Sequence, residues 1–476
     1  MVLLALGHGV LALIAFVMRD AEEVRARGVQ VISLVGVTLG AILFFLRHSG
    51  LKWRTLDPDP GPTVAAGVAC ACTWLLVLSL DKGRGRWEPA CLAGVGSCGL
   101  VLFALNAWAV PALLFWWTSS AALAAAARNS VGRSQFWLAL AASDLLLTAG
   151  IALHALGEEI WALPGGLSGM SFWFVAAAAL VRAGFLPRIG LWGASDFPLW
   201  PLLPGGAFAI AGGLTGREEP WLGLAVLLGA LAIAVWFLVR PRSDLSFPAS
   251  WPVALMLAVL FVVPGVPWQA SAAGLIASTS VLLWPIATGR AQIERGLLIS
   301  FLPPSAGFSA IVVAAVATFD QATATTDVLS AAPWTAVTAL LPAALGAGVI
   351  LAIRVSRRIE AEGYEPTAVL VTWGLFFVSI VAGLWPRFVS ETDGGATSRV
   401  FVLHLVALGA GIAAARFVSR PAPEKVGEEV EPLVVAYAPL PALWDRTAQL
   451  AAASVGVGGA ALALWVTYRG LQVGFL

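Results

Sequence analysis

The chain has 476 residues, of which 59% are hydrophobic and only 12% charged, with a formal net charge of +1 and a mean hydropathy of +0.88. Soluble globular domains carry about 25% charged residues, so a soluble fold is excluded. A net charge this close to zero gives no electrostatic case for nucleic acid, and apolar runs that fill the chain leave no room for a soluble catalytic domain.

In chain order, apolar runs are expected at 2–18, 28–47, 62–80, 88–105, 107–127, 135–156, 168–190, 199–214, 221–239, 249–264, 268–288, 295–318, 331–353, 365–386, 398–416 and 447–469. Most are about 16 to 22 residues long, enough or nearly enough to cross a hydrocarbon core as a helix. The expectation is an all-α polytopic membrane protein of about 14–16 transmembrane helices. The first run lacks a basic leader and a small-residue cleavage site, so it reads as a span and not as a removed signal. The longest polar stretch, about Arg416 to Arg446, reads as a loop; its acidic, proline-bearing part either is solvated or lies on the cytoplasmic surface against a partner.

Loop charge orients these spans, because Lys and Arg accumulate on the cytoplasmic side. One alternate set of loops holds Arg25, Arg27, Lys82, Arg84, Arg86, Arg128, Arg133, Arg188, Arg240, Arg242, Arg290, Arg354, Arg357, Arg358, Arg416, Arg420 and Lys425. The other holds Glu158, Glu159, Glu218, Glu219, Asp320 and Asp327. The alternation expects a multi-pass protein of a bacterial-type inner membrane with both termini on the outer side. Trp87, Trp137, Trp161, Trp221, Trp251 and Trp268 fall at span ends, where aromatic belts sit.

Chemistry-bearing patterns are scarce. Cys70, Cys72, Cys91 and Cys98 have no histidine partners at a metal spacing and read as small packing residues. Gly94 to Gly99 spells GxGxxG, but inside an apolar run with no preceding strand, so close helix packing is the expected role. No catalytic triad, metal spacing or phosphate loop is found, and no catalytic, cofactor-binding or metal-binding residue is expected in this chain. Two places break helix physics: Pro187 late in the seventh span, and Pro303-Pro304 inside the twelfth. A proline within a span frees backbone groups that must be buried in protein or line a cavity, and breaks five spans apart point to a repeated transporter architecture.

Residues Val181-Arg182-Ala183-Gly184-Phe185-Leu186-Pro187 and Leu302-Pro303-Pro304-Ser305-Ala306-Gly307-Phe308 resemble the antiporter-like subunits shared by respiratory complex I and the Mrp-type cation/proton antiporters. That family carries a lysine five residues ahead of a proline on its seventh span, where this chain has Arg182 and Pro187. Its twelfth span reads LPP-x-x-GF, and Ile353-Arg354 and Gly383-Leu384-Trp385-Pro386 fit the two spans that follow. The resemblance runs from about Asn106 to Pro386. It implies two inverted five-helix repeats with broken helices at the seventh and twelfth spans. The expected units are N-terminal helices over 1–87, repeats over 88–214 and 221–353, and C-terminal helices over 365–476 with a cytoplasmic loop near 417–446.

The resemblance also implies a midplane relay of lysines and a glutamate, and this chain lacks most of it. Its three lysines, Lys52, Lys82 and Lys425, are all in loops. The fifth span shows Phe115-Trp116-Trp117-Thr118 with no acid, the eighth is uncharged from Leu202 to Thr215, and the twelfth offers Ser309 or Ala310. Arg182 keeps a charge, but arginine does not release its proton and is no relay. Its expected partner is Asp144, at mid-depth of the sixth span and within roughly 3 Å of the same depth, counting 1.5 Å per residue from each span's centre. Either the two form a buried ion pair in place of the family's switch, or Asp144 takes and releases protons in a water-filled half-channel, with His154 further along the helix. His8 and His404 are the other titratable groups near spans. Glu294-Arg295 reads as a helix-start or interfacial pair, and Asn106 as a cap or an interhelical contact.

Three functions follow as expectations. The first is an antiporter-like subunit of a multi-subunit complex of the complex I or Mrp kind, structural or with a reduced proton or cation path. It would not be catalytic alone, whether or not its complex is a translocase of the NADH–quinone oxidoreductase kind. Its partners would be other membrane subunits and lipids. The second is an active proton or sodium channel subunit using Asp144. The third is the membrane partner of an inorganic-carbon uptake complex.

Overall fold

The computed structural model describes residues 2–48, most of 66–78, 86–106, 109–126, 133–158, 167, 169–182, 220–239, 302–303, 305–356 and 394–418. These residues are almost entirely helical, with no strand among them. The helices are α1 (Val2–Val17), α2 (Glu22–His48), α3 (Trp87–Asn106), α4 (Ala109–Ala126), α5 (Arg133–Glu158), α6 (Gly169–Arg182), α7 (Pro220–Val239), α8 (Ala306–Ala324), α9 (Val328–Ser356) and α10 (Gly394–Val418). They coincide with the first, second, fourth to seventh, ninth, twelfth, thirteenth and fifteenth apolar runs. Among the described residues, three stretches, Val2–Asp20, Glu22–Leu43 and Val328–Ile350, are long and apolar enough to cross a membrane. The expected breaks at Pro187 and Pro304, the eighth span, the pair Glu294-Arg295 and the 417–446 loop beyond Val418 lie outside the described residues.

Local chemistry sets the helix ends. A 3-10 turn, Met18–Asp20, closes α1. Glu22 and Glu23 open α2, where acidic side chains complement the helix dipole. At the LPP motif, Ser305 N–H donates to Leu302 O at 2.7 Å, and the Ser305 hydroxyl accepts from Phe308 N–H at 3.4 Å. Ser305 thus caps the start of α8 and is almost fully buried. Asp327 does the same for α9, accepting from Ser330 N–H at 3.1 Å and from the Ser330 hydroxyl at 2.6 Å. Pro333 and Pro342 lie inside α9, which continues through both. A proline within a run is therefore no sufficient mark of a break.

Between lipid-soluble helices, burial gives little net drive, and close van der Waals packing does the work instead. Glycine supplies that closeness. An added Cβ on Gly94 would lie 2.7 Å from Ala12 Cβ and 2.9 Å from His8 O, so α3 rests backbone to backbone on α1. On Gly99 it would lie 2.9 Å from Pro111 O, which is how α4 is accepted on the opposite side of α3. The GxGxxG pattern is a packing surface, as its setting predicts. Gly36 of α2 makes room for the Trp74 indole. Leu11, Ala15, Val29, Ile32, Trp74, Val77, Ala90 and Ala93 complete the core joining α1, α2, the 66–78 stretch and α3. The later helices pack as a second group, α9 touching α7, α8 and α10. There, a Cβ on Gly411 would meet Gly346 O at 2.9 Å.

Candidate functional site

The buried polar atoms of the first group concentrate where α4, α5 and α6 meet. Helix α4 contributes Trp116, Trp117, Ser119 and Ser120; α5 contributes Ser143, Asp144 and Thr148. The Trp116 indole N–H donates to Ser143 Oγ at 3.2 Å, and that hydroxyl donates to Ala178 O of α6 at 3.2 Å. The Trp117 indole N–H donates to Thr148 Oγ1 at 3.1 Å, and that hydroxyl donates to Asp144 O at 2.6 Å. Because an indole can only donate, each hydroxyl must accept from it and pass its own hydrogen onward. The two chains run in one direction, and each bond polarises the next.

Asp144 is the ionisable member. Its side chain is buried, with 4% of the residue exposed, and Oδ1 accepts from Ser120 Oγ at 2.7 Å. The bond is short, as expected for a hydroxyl on a carboxylate. Ser119 satisfies itself on Trp116 O at 2.8 Å. The arrangement holds one carboxylate at mid-depth of α5, with its backbone and side chain both tied toward α4.

The α5–α6 register follows from two contacts. Ser143 meets Ala178, while a Cβ on Gly150 would meet Val175 and Ser171 O. The helices are antiparallel, so Arg182, the last residue of α6, lies level with residues 139–141 of α5. That is three to five residues from Asp144, or roughly 5–8 Å along the axis at 1.5 Å per residue. The offset exceeds the 3 Å obtained from span centres, because the contacts between α5 and α6, and not the span centres, set their register. Arg182 follows Ala178 by four residues and shares its face of α6. Its side chain lies outside the described residues.

His154 is buried on α5, about 15 Å along the axis from Asp144 at the helical rise, too far for a direct hydrogen bond. Pro303 forms the turn before α8. His8 is fully buried, its Nδ1 accepting from the Trp74 indole N–H at 3.1 Å. His404, also fully buried, makes a 2.8 Å bond from Nδ1 to Val400 O, which requires the hydrogen on Nδ1. Among the described residues no group of three or more His, Cys, Asp or Glu side chains gathers as metal ligands.

Sequence reasoning named Asp144 but missed Ser120, Ser143 and Thr148, and treated Trp116-Trp117 only as the place of a missing acid. The available signal was spacing: Trp116 and Ser120, and Asp144 and Thr148, are one turn apart, so each pair shares a helix face. No protein-family model matches this chain, and no curated protein does.

Proposed function

We propose that the chain is a multi-pass, antiporter-like subunit of a multi-subunit membrane complex of the complex I or Mrp kind, in which a fixed polar node has replaced a lysine relay. The observation that carries this reading is the Asp144 node. A carboxylate buried among three helices is costly unless held by partners, and here Ser120, and Trp117 through Thr148, tie its residue to α4. Arg182, one turn on from the α5–α6 contact at Ala178, would be the cation that pairs with it. An aspartate–arginine pair holds helices together and does not pass protons, since arginine stays charged. The subunit would sit among other membrane subunits and lipids in an inner membrane and take its role from its neighbours.

The test is mild-detergent purification of the tagged chain from its native membrane, with identification of what co-purifies. Stoichiometric recovery with antiporter-like or quinone-reducing subunits is the expected result. Recovery of the chain alone overturns the reading. It would favour a second one, a proton or sodium path through Asp144, which the mid-depth position of its carboxylate supports.

A further inference from the structure

Away from the Asp144 node, three elements of the N-terminal group enclose a second set of buried polar atoms. The Trp74 indole N–H donates to His8 Nδ1 at 3.1 Å. One turn before Trp74, Cys70 Sγ lies 3.7 Å from Ser97 O. One turn before Ser97, Gly94 rests against His8 O. His8, Trp74, Cys70, Ser97 and Gly94 thus form a closed ring across α1, the 66–78 stretch and α3, and His8, Trp74, Cys70 and Ser97 are fully buried. Two atoms in this ring, His8 Nε2 and Ser97 Oγ, have no hydrogen-bond partner among the described residues.

The chemistry of those two atoms is determined. An indole can only donate, so His8 Nδ1 is an acceptor, the ring is neutral, and its hydrogen is on Nε2. His8 therefore presents one N–H donor and has no lone pair free for a metal ion or a proton. Ser97 differs from those described helical hydroxyls that bond within their own helix. Ser33, Thr73, Thr118 and Thr335 each satisfy themselves on the carbonyl four residues back. Ser97 does not, so its hydroxyl is left for something else.

We propose that His8 Nε2–H and Ser97 Oγ hold a bound water molecule at mid-depth of α1 and α3. The guest must accept from His8 and bond to a hydroxyl. It must also be neutral, because nothing in the ring carries a charge to offset a buried ion. Water meets all three conditions, and buried waters characteristically bridge buried polar groups of this kind. The site is a hydration point inside the N-terminal helices, independent of Asp144 and of the function proposed above.

The test is water-edited solid-state NMR on the full chain, labelled at histidine nitrogen and reconstituted in lipid. Sequential assignment through Gly7 and Gly9 identifies the His8 signal without altering the residue. The expected result is a hydrogen on His8 Nε2 that receives polarisation from water in the native chain, with that transfer lost in Ser97→Ala. Absence of transfer in the native chain, persistence of it in Ser97→Ala, or a hydrogen on Nδ1 each overturns the proposal. The native-chain spectrum decides the first and third points even if the variant fails to assemble.

Discussion

Ser120 on α4 donates its hydroxyl to the carboxylate of Asp144 on α5 at 2.7 Å, between the Trp116–Ser143 and Trp117–Thr148 bonds that cross the same interface. This contact joins the pair of helices at the one acidic residue in the interior of α5. Removing the hydroxyl leaves a buried carboxylate oxygen short of a donor. Ser120→Ala should therefore cost about 1.5–3 kcal/mol, the range for hydrogen bonds to charged groups. Denaturant unfolding of the purified chain in detergent measures it; a change near zero would show that water replaces the hydroxyl.

If Asp144 and Arg182 form the proposed pair, truncating one partner strands the other. Asp144→Asn and Arg182→Gln should each cost about 3–5 kcal/mol and lower the assembled yield, while the double variant recovers much of the loss. Normal assembly of both single variants would show that the pair is not structural. Ion flux in vesicles, lost in Asp144→Asn without loss of assembly, would move the site from scaffold to path.

Gly94 is where α3 meets the α1 backbone, with no room for a methyl group. Gly94→Ala should destabilise the chain by about 1–3 kcal/mol, the usual cost of overpacking. Gly409 has nothing within 4 Å of an added Cβ, so Gly409→Ala should be neutral or slightly stabilising, because alanine is the better helix former. Equal effects of the two substitutions in thermal unfolding would contradict this packing.

Asp327 lies outside the spans and opens α9. The Ser330 hydroxyl and backbone N–H both bond its carboxylate and hold its pKa below the ordinary carboxylate value. Since the folded value is the lower one, the cap stabilises fully above the unfolded carboxylate's pKa and is lost as pH falls through the folded one. Amide exchange at Ser330 should accelerate over that acidic window and stay slow at neutral pH. Asp327→Asn keeps an acceptor and should retain protection at neutral pH, whereas Asp327→Ala should lose it.

Some of this was legible before any coordinates. The length and apolarity of the runs set the helices, because a backbone in hydrocarbon must satisfy its own hydrogen bonds. Gly94 to Gly99 in an apolar run marks a close packing surface, whereas the cap that Ser305 supplies to α8 was not read from the sequence. Asp144 stood out as a charge inside a span.

Its partners did not stand out. Ser120 and Thr148 are ordinary polar residues in sequence, and only the docking of α4 on α5 makes one a donor to Asp144 and the other its link to Trp117. A helix such as α7 is apolar on every side, so no periodic face tells the chain where its neighbours lie. Composition by itself determined that this protein is made of apolar helices, because burying a backbone is a local matter. Tertiary structure decided which polar atoms meet and with which turn of α5 the end of α6 is level, because those depend on the register between helices distant in sequence.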